Sequence, residues 1–154
     1  MSGAKGKSRP DHGDVLKFDH GPKSFKTSLG GQQISHYGIY NKEDDKVIHK
    51  TGPKRTHLSS GSGKSNKSEV KSESYARVAG RYDSVTIHNR PQESRYSAER
   101  VVQNAEAREG ETSYNLVSDN CETFARECET GKKESDQVRK VGMALVNAYT
   151  GGSA

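Results

Sequence analysis

One thiol and two imidazoles are the side chains of this sequence best suited to covalent chemistry. Cys121 follows the polar run Ser118-Asp119-Asn120 and opens a helical pattern, with Phe124, Ala125 and Cys128 recurring on one face. A thiol at a helix start faces free backbone N–H groups and the positive end of the helix dipole. Those conditions are expected to lower its pKa and make the thiolate the reactive form. A nucleophilic thiol needs a base within hydrogen-bond reach, and the base needs an orienting partner. The candidates are His12, His20, His36, His49, His57 and His88. His12, His20 and His57 fall in expected loops and His88 ends a short strand. His36 and His49 lie inside expected strands, where a side chain can be held rigidly. Cys121 with a histidine base fits nucleophilic catalysis; a hydrogen-bonded structural role for each strand histidine is the alternative.

Metal ligation would compete for the same residue types. The two cysteines stand seven positions apart, and neither a Cys-x-x-Cys nor a His-x-x-x-His pair occurs. No metal or cofactor is expected on those spacings. No glycine-rich phosphate motif follows a strand, and no RNA-binding aromatic signature is present, so direct sequence readout of nucleic acid has little support. An intact helix would hold the two cysteines roughly 10.5 Å apart along its axis. That exceeds the ~7 Å Cα limit for a disulfide.

The elements that must position these groups run as strands first and helices later. Strands are expected at Asp14–Phe18, Ile34–Tyr40, Lys46–Lys50 and Val85–His88, the middle two forming a hairpin. Whether His36 and His49 share a face then depends on register. Residues 51–74, rich in Ser, Lys and Gly, read as one flexible basic loop. It suits a substrate or lipid-surface loop, or a tolerated insertion. Ser97 caps an expected helix with Val101, Val102 and Ala105 on its apolar face. Tyr114–Val117 reads as extended. The Cys121 helix stops at Gly131, and a last helix starts near Ser135-Asp136 and reaches Tyr149. The order predicts an α+β domain, a small antiparallel sheet with about three helices packed on one side. Residues 1–12 are expected to be a disordered basic arm, 13–149 the domain, and 150–154 a flexible tail.

The chain has 154 residues, 29% hydrophobic, with a formal net charge of +5. Mean hydropathy is -1.03 and the pI about 9.2. A small core is expected. Spread-out charge of this size serves solubility, though it also suits peripheral contact with an anionic membrane. No apolar run approaches the ~20 residues of a membrane span, and the N-terminus has no apolar signal segment. A cytoplasmic location with reduced thiols is expected.

Three segments together resemble a known family. Ser35-His36-Tyr37-Gly38-Ile39-Tyr40, Val47-Ile48-His49 and Asn120-Cys121-Glu122-Thr123-Phe124 are similar to the three motifs of the lecithin:retinol acyltransferase-like proteins. That group includes the H-Ras-like suppressor, or phospholipase-acyltransferase, enzymes. The resemblance extends through Gly13-Asp14-Val15-Leu16, Val78-Ala79-Gly80, Asn89, Tyr96-Ser97 and Glu134-Ser135-Asp136-Gln137-Val138-Arg139, covering about Gly13 to Val141.

The resemblance implies a circularly permuted fold related to the NlpC-type papain-like hydrolases. It implies Cys121 as nucleophile, His36 as general base and His49 as the third, orienting member. The acyl donor would be a lipid ester, and the thioester on Cys121 would pass its acyl group to water, an amine or an alcohol. A neutral imidazole in third place orients more weakly than a carboxylate, so Cys121 must gain acidity from its helix terminus. The Cys121 N–H is a reasonable oxyanion donor, and Asn120 is expected to cap the helix. Thr123 stands where many relatives have histidine. Lys50 stands where relatives are apolar, which predicts a more polar entrance. A second reading is a non-catalytic interaction module of the same fold, binding an anionic partner such as RNA or an acidic membrane surface.

Overall fold

The computed structural model describes residues 9–19, 28–29, 32–33, 35–52, 68–113 and 120–134. In chain order the strands are β1 (Val15–Asp19), β2 (Ser28–Leu29), β3 (Gln32–Gln33), β4 (His36–Asn41), β5 (Lys46–Thr51), β6 (Glu69–Ser74) and β7 (Ser84–Ile87). The helices are α1 (Tyr75–Ala79), α2 (Ala98–Glu106) and α3 (Cys121–Thr130). Five strands form one antiparallel sheet in the order β6-β5-β4-β1-β7, and β2 pairs with β3 separately. The expected α+β class is the observed one.

The β4–β5 hairpin follows from its turn residues. Asn41 Oδ1 accepts the Glu43 N–H at 3.1 Å, an Asx-type bond. Asp45 adopts a left-handed φ of 52°. That conformation is tolerated by Asp and closes the turn back into β5.

Period-2 alternation sends successive side chains to opposite faces of the sheet. On one face Val15, Tyr37, Ile39, Ile48 and Val70 pack with Val101, Val102 and Ala105 of α2 and Phe124, Ala125 and Cys128 of α3. On the other, Leu16, Phe18, Tyr40 and Val47 pack with Val78 and Ala79 of α1 and Val85 of β7. Helices therefore cover both faces. The expectation of one covered side failed because α1 is short and follows a serine-rich segment that carries little helical periodicity. Fully burying one aliphatic side chain contributes roughly 1.5–3 kcal/mol, so both layers stabilise the sheet that carries the histidines.

Capping fits the expectations. Ser97 accepts from the Arg100 N–H at the start of α2, and Gly131 ends α3 with a left-handed φ of 83°. Asn104 Nδ2 donates to the Cys128 carbonyl at 3.1 Å, tying α2 to α3.

Two boundaries differ from expectation. Residues 69–74, read as the end of a flexible loop, form β6 and pair with β5 along its whole length, Lys46↔Ser74 through Thr51↔Glu69. Residues 9–12, read as the end of the arm, are anchored: Lys42 N–H donates to His12 Nδ1 at 3.1 Å and Pro10 is buried. The segment 114–117 expected to be extended, the expected last helix, residues 1–8, 53–67 and the expected tail lie outside the described residues. Among the described residues no helix is long and apolar enough to cross a membrane.

Candidate active site

Register decides where the histidines go. Ile39 pairs with Ile48 and Tyr40 with Val47 across β4 and β5, so His49 faces Gly38, two residues from His36 on the same face. A Cβ on Gly38 would lie 2.5 Å from Val47 Cγ1 and 3.2 Å from His49 Cβ. The missing side chain is what lets the His49 ring lean across β4. His36 Nε2 and His49 Nδ1 are 2.6 Å apart, with the rings edge to face at 74°.

The row continues onto β6. His49 pairs with Lys71, which puts Glu73 on the same face one diagonal step away. His49 Nε2 lies within hydrogen-bond distance of Glu73 Oε1, at 2.9 Å. Arg81, just after α1, grips the other carboxylate oxygen at 2.7 Å. Lys71 Nζ approaches Oε1 at 3.4 Å. The His49 and Arg81 bonds hold the Glu73 carboxyl well below the usual carboxylate range, against the opposing effect of burial. Sequence alone does not single out Glu73, because Ser72, Ser74 and the lysines around it read as loop. A β-period alternation of Val70, Ser72 and Ser74 against Lys71 and Glu73 was the available signal.

His36 is enclosed as well. The Tyr82 ring stacks parallel to it, centroids 5.8 Å apart, and Phe18 lies tilted at the same distance. Burial, then the neighbouring His49 and Arg81, push the His36 pKa well below its usual value; Glu73 acts in the opposite sense. A neutral His36 at pH 7 can accept a proton.

Cys121 arrives from the opposite layer. Asn120 Oδ1 accepts the N–H groups of Glu122 and Thr123, each at 3.0 Å, and Thr123 Oγ1 accepts the Asn120 N–H at 2.7 Å. This reciprocal capping box fixes the first turn of α3. It also explains Thr123, which serves the cap. Cys121 Sγ then lies 3.8 Å from the Ser35 carbonyl, the residue before His36. The structure thus brings the three expected residues to one end of β4.

The expected acidity of the thiol is corrected. Burial pushes Cys121 up to about 11, opposed by the backbone N–H groups of Tyr37, Glu122 and Cys121 itself. The helix start and its amides do act on the sulfur, but with 7% exposure desolvation is the larger effect. Cys128 is also buried and free, and no disulfide joins the pair.

Lys50 does not join the row of His36, His49 and Glu73. It shares a face with Ile48, away from His49, and is fully buried with its ammonium 2.9 Å from Glu111 Oε1. The expected polar entrance therefore has no basis in Lys50: period 2 turns it away from His49 into the layer that α3 covers, where it is fully buried and paired with Glu111. His88 serves structure: its Nδ1 lies 2.6 Å from the Arg126 guanidinium. His20 and His57 lie outside the described residues. His12, Glu43 and Glu99 bring potential ligand atoms within 4.8 Å of one another. However, His12 Nδ1 accepts the Lys42 N–H, so a neutral ring keeps its proton on Nε2, facing Glu99 at 3.5 Å. That nitrogen offers a hydrogen bond and no lone pair for a metal.

A search of curated proteins returns no match. The family model described as lecithin retinol acyltransferase matches residues 8–134, a span that holds β1 to α3 and all three motif segments. This chain belongs to the lecithin retinol acyltransferase family.

Proposed function

We propose that this chain is a cysteine-dependent acyltransferase or phospholipase that takes an acyl group from a phospholipid ester through a Cys121 thioester. The observation that carries the proposal is the His36–His49 pair at the end of β4 where the Cys121 turn arrives, in a member of an acyltransferase family. The fold would be the permuted papain-like one that the family resemblance implies, and contact with a membrane surface would be peripheral.

Thiol and imidazole both start neutral, so proton transfer accompanies attack. His36 takes the Cys121 proton as the sulfur forms a bond to the ester carbonyl carbon. The resulting oxyanion is met by the Cys121 N–H. Collapse breaks the C–O bond, and the imidazolium returns the proton to the departing alcohol. The thioester then yields its acyl group to water, an amine or an alcohol, with His36 accepting the proton of the incoming nucleophile and the thiol restored at the end.

A second reading is favoured by one observation, the depth of the thiol. A fold that keeps Cys121 buried and protonated would also suit a non-catalytic module that binds an anionic partner, RNA or an acidic membrane surface. Release of fatty acid from phosphatidylcholine vesicles separates the two. The enzyme reading expects release that disappears in Cys121→Ala. Tight, salt-sensitive binding without turnover, the same in both proteins, would favour the module.

A further inference from the structure

We infer that Glu73 is a positioning residue of this site, setting the tautomers of His49 and His36 so that the His36 lone pair is on Nδ1. The inference rests on the reading of Cys121 and His36 as nucleophile and base. It starts from three diagonal steps across adjacent strands: His36 on β4, His49 on β5 and Glu73 on β6. An ionised carboxylate has no proton to give, so the 2.9 Å contact with His49 Nε2 requires the proton on that nitrogen. In the neutral ring the His49 lone pair is then on Nδ1. The 2.6 Å contact from that atom requires the proton on His36 Nε2. The nitrogen left over on His36, Nδ1, carries the lone pair and is the one free to accept the thiol proton. Reversing the first bond would reverse both rings and leave His36 with an N–H where it needs a base.

Glu73 also offsets charge. When His36 becomes an imidazolium, a carboxylate two hydrogen bonds away stabilises the positive charge without itself taking the proton. His49 is 1% exposed and the Glu73 side chain 10%, so water screens this interaction weakly. Arg81 has its own part. By occupying Oε2 at 2.7 Å it directs the other oxygen toward His49.

This arrangement makes Glu73→Gln the informative variant. Arg81 can only donate, and its contact with Oε2 at 2.7 Å is much shorter than that with Oε1 at 3.4 Å, so the amide oxygen of glutamine takes the Oε2 place and the amide NH2 faces His49 Nε2. Both histidines should invert. The test is a pair of measurements on full-length wild type, Glu73→Gln and Arg81→Ala. Nitrogen-15 spectra of the histidine rings read the tautomers directly. The rate of adduct formation on Cys121 from a short-chain activated ester reads the base. Wild type and Arg81→Ala should show unprotonated Nδ1 on His36. Glu73→Gln should show protonated Nδ1, with acylation at least about 100-fold slower and the dependence on ester concentration unchanged. A proton on His36 Nδ1 in the wild type would overturn the inference, whatever the variants do. So would a Glu73→Gln chain that keeps the wild-type tautomers and acylates within about twofold. A wild type that forms no adduct at all overturns the acyl-transfer reading, and the ring spectra still decide whether Glu73 sets the tautomers.

Discussion

His36 Nε2 and His49 Nδ1 lie 2.6 Å apart although their residues do not pair directly across the hairpin. The bond is diagonal, and it exists because Gly38, opposite His49, has no side chain to fill the space. From that relationship follow a base whose partner nitrogen is already committed and a third residue that needs support of its own.

Gly38→Ala should therefore damage the site more than the fold. Its methyl would meet Val47 Cγ1 at 2.5 Å and crowd His49 Cβ at 3.2 Å. Overpacking of this kind costs about 1–3 kcal/mol, measurable by urea unfolding. Acylation of Cys121 should fall by a larger factor than that loss explains at temperatures where the variant is fully folded. Adding Val47→Ala should recover stability but little of the rate, since the His49 contact remains.

The thiol should behave as a protonated, buried group. Alkylation of Cys121 by iodoacetamide should keep rising with pH toward about 11. A plateau below pH 8 would mean a preformed thiolate. The same shift sets a stability window. A folded pKa raised above the unfolded value of about 9 stabilises fully below pH 9 and is lost as pH climbs through about 11. Cys128, pushed up to about 12 by burial, extends the loss further. The alkaline slope of stability against pH should shrink in Cys121→Ala and again in the double variant with Cys128→Ala.

On the acid side the sign is opposite. His36 has a depressed pKa, so the unfolded chain binds its proton first and stability falls below about pH 6.5. Glu73 and Glu111, the latter held down to about 2 mainly by Arg108, add a second loss below about pH 4.5. Two-stage acid destabilisation by denaturant titration is the expected result, and Glu111→Gln should flatten the lower stage.

Asn120→Ala should remove two bonds to the first turn of α3. The expected cost is roughly 0.5–2 kcal/mol, and Asn120→Asp should recover most of it. If capping is its whole role, acylation measured on fully folded protein should be nearly unchanged in Asn120→Asp.

Much of this arrangement is legible in the residues themselves. The i, i+3, i+4, i+7 spacing after Asn120 marks α3, Ser97 marks α2, and the aromatic and β-branched run around Ile39 marks β4. The rest depends on tertiary context. Glu73 sits in a strand whose serines and lysines lack β propensity, and its pairing with β5 overrides that local preference. Lys50 reads as a polar neighbour of His49, yet strand alternation sends it into the opposite layer, where Glu111 satisfies it. The acidity expected of Cys121 does not hold because a helix start is visible in sequence, whereas the burial that outweighs it is not. Register, which joins His36 to His49, is set by the turn at Asn41–Asp45 and by both packed faces together.

The most direct test of the proposed chemistry is the intact mass of the chain after brief exposure to phosphatidylcholine vesicles, with hydroxylamine treatment of a parallel sample. A thioester on Cys121 predicts a mass increase of one acyl group, mapped to the Asn120–Glu122 segment, removed by hydroxylamine, and missing in Cys121→Ala and His36→Ala. Fatty acid release that persists unchanged in Cys121→Ala, with no adduct on the wild-type chain, would contradict it.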